Sequence, residues 1–141
     1  MANLVDALLA ADANQITQKE ITTVEIPRLT KIVGVPFIVT LQAVSPKRLD
    51  EIQEQAIKMT KKGRYAGTDL TTLRRLTLCE SIIEPDLKNK KLQEKFGVVS
   101  PKELISKLFS AGEIQNLYEK SQQVSGFTEE NEEEDKEEIK N

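Results

Sequence analysis

An α+β fold is predicted by three observations: a small N-terminal antiparallel β-hairpin or sheet followed by four or five short packed helices. Apolar residues alternate with a period of two only between Glu20 and Val44. From Ser45 onward they recur at helical spacing. The second half is punctuated by Ser-Pro and Ser-x-x-Glu helix starts and by glycine stops.

Residues 1–12 place Leu4, Val5, Leu8 and Leu9 on one helical face, with Asn3 as cap. Such a short helix is marginal alone, and docking on the domain is expected in preference to waiting for a partner. Residues 13–19 are polar and read as a connector. Val24 and Ile26 then form one alternating row, and Phe37, Val39, Leu41 and Ala43 a second, with a turn near Val33-Gly34. Pro27 and Pro36 cannot donate ladder bonds, so each must face outward or lie at a strand end. The sheet is small and open-edged, and another segment is expected to cover its edges.

Ser45-Pro46 supplies a cap and a first-turn proline for a helix with Leu49, Ile52, Ala56 and Met59 on one face, ending at Gly63. The basic loop KKGRYAG follows. Thr68 or Asp69 caps a helix over 69–84 whose apolar face is Leu73, Leu76, Cys79 and Ile83, with Cys79 as a small core residue. Pro85 ends it. Leu87, Leu92 and Phe96 mark a short helix stopped by a left-handed Gly97.

Ser100-Pro101-Lys102-Glu103 reads as a capping box, with Glu103 reaching back to the Ser100 amide and Val99 stapled onto Leu104. Ser110-Ala111-Gly112-Glu113 repeats the spacing and starts a last helix with Ile114, Leu117 and Tyr118 on its stripe, extended by Val124. Gly126 ends that helix, and Phe127 folds back onto it.

The 141 residues give room for one core. Charge is unevenly spread, since 128–141 holds 8 acids and 2 lysines and leaves 18 bases and 15 acids in 1–127. Residues 1–127 are therefore read as one domain and 128–141 as a disordered acidic tail. That tail either lies transiently over the lysine clusters at 58–62 and 88–95 or serves only as a solubiliser without contacts. The chain has no histidine and one cysteine, which excludes an internal disulfide, most zinc sites and histidine-assisted nucleophiles. No apolar run reaches the ~20 residues of a membrane span, and a soluble cytoplasmic protein is expected.

Candidates for chemistry are few. Glu80 and Glu84 share a helical face in this reading, but two carboxylates without a third ligand or a nucleophile make no site. Gly63 and Gly67 lack the Gly-Lys-Ser/Thr of a phosphate loop. Basic residues gather at Lys58, Lys61, Lys62 and Arg64, at Arg74 and Arg75, and at Lys88, Lys90, Lys91 and Lys95. They raise nucleic-acid binding as a second reading, weakened by a net charge of only +3 over 1–127 and by few aromatics. A binding or assembly protein remains, with no catalytic residue, metal or cofactor expected.

The chain resembles the XkdN-like tail assembly chaperones of long-tailed phages and prophages. The resemblance rests on Glu84-Pro85-Asp86-Leu87, the run from Leu92 to Gly97, Pro101-Lys102-Glu103-Leu104, Gly112-Glu113-Ile114 and the closing Gly126-Phe127, in that order and spacing. These positions read as structural. Where the family often has proline before Gly-Glu, this chain has Ala111. The resemblance implies a non-enzymatic protein of the bacterial host cytoplasm, absent from the mature virion. It would bind the tape-measure protein and tail-tube subunits, with self-association possible in principle and no role for membrane or nucleic acid. A structural tail subunit and a small nucleic-acid adapter are the alternatives. The N-terminal helix, the open sheet edge and the Ile114–Phe127 helix are the three candidate partner surfaces.

Overall fold

The computed structural model describes residues 3–59 and 61–127. Residues 128–141, on which the disordered-tail expectation falls, lie outside them. Asn3 opens α1 (Leu4–Ala10), its side-chain oxygen accepting from the Asp6 amide at 2.8 Å. Asp12 opens α2 (Ala13–Thr17) by accepting from Asn14 at 2.9 Å. The stretch expected as a connector is thus partly helical, because a capping carboxylate offsets the cost of starting a turn.

β1 (Ile21–Glu25) ends at Pro27, which occupies the first position of α3 (Pro27–Val33). The turn expected at Val33-Gly34 is therefore the end of a helix, with Gly34 at φ 80° as its left-handed cap. Its Thr30 hydroxyl accepts from the Phe37 amide at 2.9 Å and leads the chain into β2 (Ile38–Gln42). β1 and β2 pair antiparallel with Val24 opposite Val39 and Thr22 opposite Leu41.

Ser45 caps α4 (Pro46–Gln55), which buries Ile52 and leaves Ala56 buried at its C-cap. The helix does not run on to Gly63. β3 (Ile57–Met59) and β4 (Tyr65–Thr68) form a small antiparallel hairpin instead, with Gly63 at φ 80° in its turn. β-branched Ile57 starts the first arm, and the Asp69 amide donates to Ala56 O at 2.7 Å to close the base.

Asp69 caps α5 (Leu70–Ser81), its carboxylate accepting from the Thr72 amide at 3.2 Å. The helix stops at Ser81, and the expected run to 84 is instead β5 (Ile82–Glu84), antiparallel to β2 with Leu41 opposite Ile82. The buried face also differs from the expected Leu73, Leu76, Cys79 and Ile83: it is Thr77, Leu78 and Ser81. Two small hydroxyls can be buried there because Thr77 donates to Leu73 O and Ser81 to Gln42 O, both at 2.7 Å. The Ser81 bond ties α5 to the central strand.

Leu87 is buried ahead of α6 (Lys90–Lys95), which Asn89 caps. Gly97 at φ 69° turns the chain, and Pro101 is the first residue of α7 (Pro101–Leu108). Ser100 accepts from the Glu103 amide at 3.2 Å, but Glu103 Oε2 accepts from Val99 N at 3.0 Å and not from Ser100. The expected staple fails too, since Val99 is 80% exposed and Val98 is the buried residue. The left-handed Gly97 aims Val98 inward, and its neighbour must then face water. Ser110 opens α8 (Ala111–Val124) with the full reciprocal box, Glu113 N to Ser110 Oγ at 3.3 Å and Ser110 N to Glu113 Oε1 at 2.8 Å.

One core joins Val39 and Leu41 of the sheet to Leu78, Leu104, Ile105 and Leu117. α5 packs against α4, α7 and α8, and α8 lies across β1 and β2. The two boxes predict different thermodynamics. Ser100→Ala costs about 1 kcal/mol, and Glu103→Ala adds to it within about 0.5 kcal/mol, because the two side chains satisfy different amides. At Ser110 and Glu113 the same pair of substitutions is strongly non-additive. Denaturant melts of the two cycles check this, and additivity at both sites would be the contrary result.

Candidate partner-binding surface

Of the three candidate surfaces, the last helix is already committed. Ile114, Leu117 and Ser121 of α8 are buried against the core, so its stripe presents no groove. Its end is only partly covered: Phe127 donates its amide to Gln122 O at 2.9 Å while its side chain stays 41% exposed.

The N-terminal helix is the opposite case, and docking did not occur. No residue of α1 or α2 is buried, and Leu4, Val5, Leu8 and Leu9 are between 61 and 82% exposed. The physical reason is occupancy, since α8 already covers the strands that α1 would have covered. Ile16 and Ile21 continue the exposed apolar line toward the sheet.

The sheet edge follows directly. β5 covers part of one side of β2, and β1 forms the other edge of the three-stranded sheet. Ile26 N donates to Phe37 O and Ala43 N to Glu20 O, both at 2.9 Å, so even-numbered residues of β1 face β2. Ile21, Thr23 and Glu25 therefore turn their N–H and C=O outward, with no strand paired to them among the described residues. Residues 4–25 thus combine a bare apolar helix and an open strand edge.

The family-motif positions lie elsewhere, at or within one turn of element ends. Glu84 closes β5 before a cis Pro85. Gly97 and Gly126 have φ 69° and 102°. Pro101 and Glu103 are in the first turn of α7, and Gly112 and Glu113 in that of α8. Glu113 also receives Arg28 of α3 through Nη2 at 2.8 Å and Nε at 3.0 Å, and Arg28 Nη2 donates to Leu108 O at 2.9 Å. That guanidinium is chiefly what pulls the Glu113 carboxyl down to about 2, with the Ser110 bonds adding to it. Nothing in the sequence paired Arg28 with Glu113, 85 positions apart.

Chemistry finds little support. Glu80 lies on α5 and reaches Arg48 at 3.3 Å, while Glu84 is in a strand, so they share no helical face. Burial pushes the half-buried Cys79 thiol up to about 11. Among the described residues no group of three His, Cys, Asp or Glu is placed to hold a metal ion, and no helix is long and apolar enough to cross a membrane. Arg74 stands over the Tyr118 ring at 5.9 Å, and Arg75 Nε donates to Ser106 Oγ at 2.9 Å.

Comparison with known proteins places this arrangement. Residues 5–140 match the family described as phage XkdN-like tail assembly chaperone protein, a span that continues through the acidic segment. The XkdN protein of the phage-like element PBSX of Bacillus subtilis (strain 168) is 33% identical over 98 residues. That alignment covers 66% of this chain and 64% of the relative, so the chain spans less than two thirds of that relative's length. The crystal structure of the protein YqbN shares the fold, with a TM-score of 0.59, 21% identity, and coverage of 84% of this chain and 99% of that one. The chain belongs to the XkdN-like family of phage tail assembly chaperones.

Proposed function

We propose that this chaperone works by binding, without catalysis, and that its client is the tape-measure protein of a long-tailed phage. The single observation that carries this reading is the uncovered stripe of α1. A tape-measure protein is a long helix whose apolar stripes aggregate when exposed. Leu4, Val5, Leu8 and Leu9 offer such a stripe a matching helical face, and the open β1 edge follows in the chain. Binding also stabilises α1, which at seven residues gains little from its own hydrogen bonds. Many copies along one client give a strong total hold while each contact stays weak enough to release.

In this reading residues 1–127 act as one domain, the protein brings tail-tube subunits to the covered client in the host cytoplasm, and it leaves before the tail is complete. Co-expression tests it: the tape-measure protein stays in the soluble fraction and co-purifies with this chain. Mass spectrometry of finished tails then finds the chain far below stoichiometric level. Stoichiometric recovery from purified tails would make it a structural subunit.

A further inference from the structure

We propose that the groove between α5 and α7 is a docking site for an acidic peptide and that its occupant is this chain's own segment 128–141. The inference is independent of the tape-measure reading and rests on shape and charge. The groove has a volume of about 500 Å³ and is lined by Arg75, Lys102 and Lys107, with Val98 and Thr71 among its other walls. None of the three cations takes part in an ion pair among the described residues. Ser106 holds Arg75 Nε at 2.9 Å, which fixes the guanidinium and leaves its terminal nitrogens for a ligand. Glu103 is the one acid on the lining, and its Oε2 is engaged by the Val99 amide at 3.0 Å.

The segment complements these walls. Residues 128–141 carry 8 acids and 2 lysines, with Ile139 as their one aliphatic residue. An acidic peptide with an embedded isoleucine matches a groove of cations over apolar wall. Reach is sufficient: 14 residues extend to roughly 45 Å, against a radius of gyration of roughly 14 Å for a folded chain of this length. The segment starts beyond Ser125, whose hydroxyl accepts from Val44 N at 3.0 Å.

The lysines of the β3–β4 hairpin and of α6 are less suited than the sequence expectation had them. Lys58, Lys61, Lys62, Lys88, Lys90, Lys91 and Lys95 are all exposed. Lys102 and Lys107 are exposed too, but they stand with the half-buried Arg75 around one concavity, where field lines converge and Glu103 is the one opposing charge. An occupied groove also keeps acidic and nucleic-acid ligands off this face until a partner displaces the segment.

The test uses the full chain. Backbone amide spectra of the natural protein are compared with a variant whose eight acids between 128 and 141 are changed to Gln or Asn, at about 20 mM and about 500 mM salt. At low salt the amides of 71–75, 97–98 and 102–107 differ between the two proteins, and at high salt they coincide. The differences do not depend on protein concentration. They vanish in a background of Arg75→Gln, Lys102→Gln and Lys107→Gln, whose melting temperature is measured alongside to show that it folds. Differences centred on 58–64 or 88–95, differences that grow with concentration, or none at all would each overturn the assignment.

Discussion

Glu113→Ala lowers the stability of this protein by between about 1 and 2 kcal/mol, more than any other helix-cap substitution in the chain. The side chain is only 17% exposed and receives the Ser110 amide as well as two nitrogens of Arg28. Removing it leaves the first turn of α8 without its reciprocal cap and unfastens α3 from the junction of α7 and α8. Arg28→Ala is milder, because the guanidinium is 45% exposed and Glu113, left behind, still accepts from the Ser110 amide. The effect carries a pH signature. The carboxyl titrates at about 2 in the folded chain and near its ordinary 4.5 when unfolded. Between those values the unfolded chain binds more protons, so stability is whole above pH 4.5 and is lost as pH falls toward 2. Glu113→Gln keeps an oxygen for the Ser110 amide but no charge for Arg28. Its melting temperature, lower at neutral pH, should therefore fall less steeply below pH 4.5. Parallel acid limbs for the two proteins would show that the ion pair contributes nothing.

What could be read from the sequence was local chemistry. Ser45-Pro46, Asp69, Ser100-Pro101, Ser110 with Glu113, Gly97 and Gly126 each mark a boundary through groups within a few positions, and each is found at that boundary. The class of fold followed from the change of period near Ser45. What escaped depends on distant neighbours. Ile82–Glu84 extends the apolar spacing of α5 and becomes a strand only because Leu41 lies alongside it. α3 was hidden because Pro27 starts a helix as readily as it ends a strand. Thr77 and Ser81 could not be recognised as buried until their acceptors, one of them on β2, were in place. The candidate surface shows the same division. The stripe of α1 was plain in Leu4, Val5, Leu8 and Leu9, but whether it docks depends on α8, more than 100 positions away.

On the proposed reading, replacing that stripe is expected to abolish solubilisation of the tape-measure protein while leaving the chaperone folded. The variant carries Leu4→Gln, Val5→Gln, Leu8→Gln and Leu9→Gln, since glutamine keeps good helix propensity while removing the apolar face. None of the four side chains is buried, so the melting temperature should move by no more than about 2 °C. The client contact suffers far more. Burying a leucine-sized side chain gains about 1.5–3 kcal/mol. Even half-burial of all four on a client helix amounts to about 3 kcal/mol or more, which is over a hundredfold in the affinity of one contact. Multivalent binding multiplies that loss along the client. The co-expressed tape-measure protein should then move from the soluble to the pelleted fraction. Thr23→Pro tests the β1 edge separately from the helix, because the Thr23 amide points away from β2 and its loss breaks no ladder bond of the sheet. If α1 is the contact, Thr23→Pro retains solubilisation and the glutamine variant loses it. The reverse pattern would move the contact to the β1 edge. A glutamine variant that melts well below the natural chain would mean that α1 packs on its own domain after all.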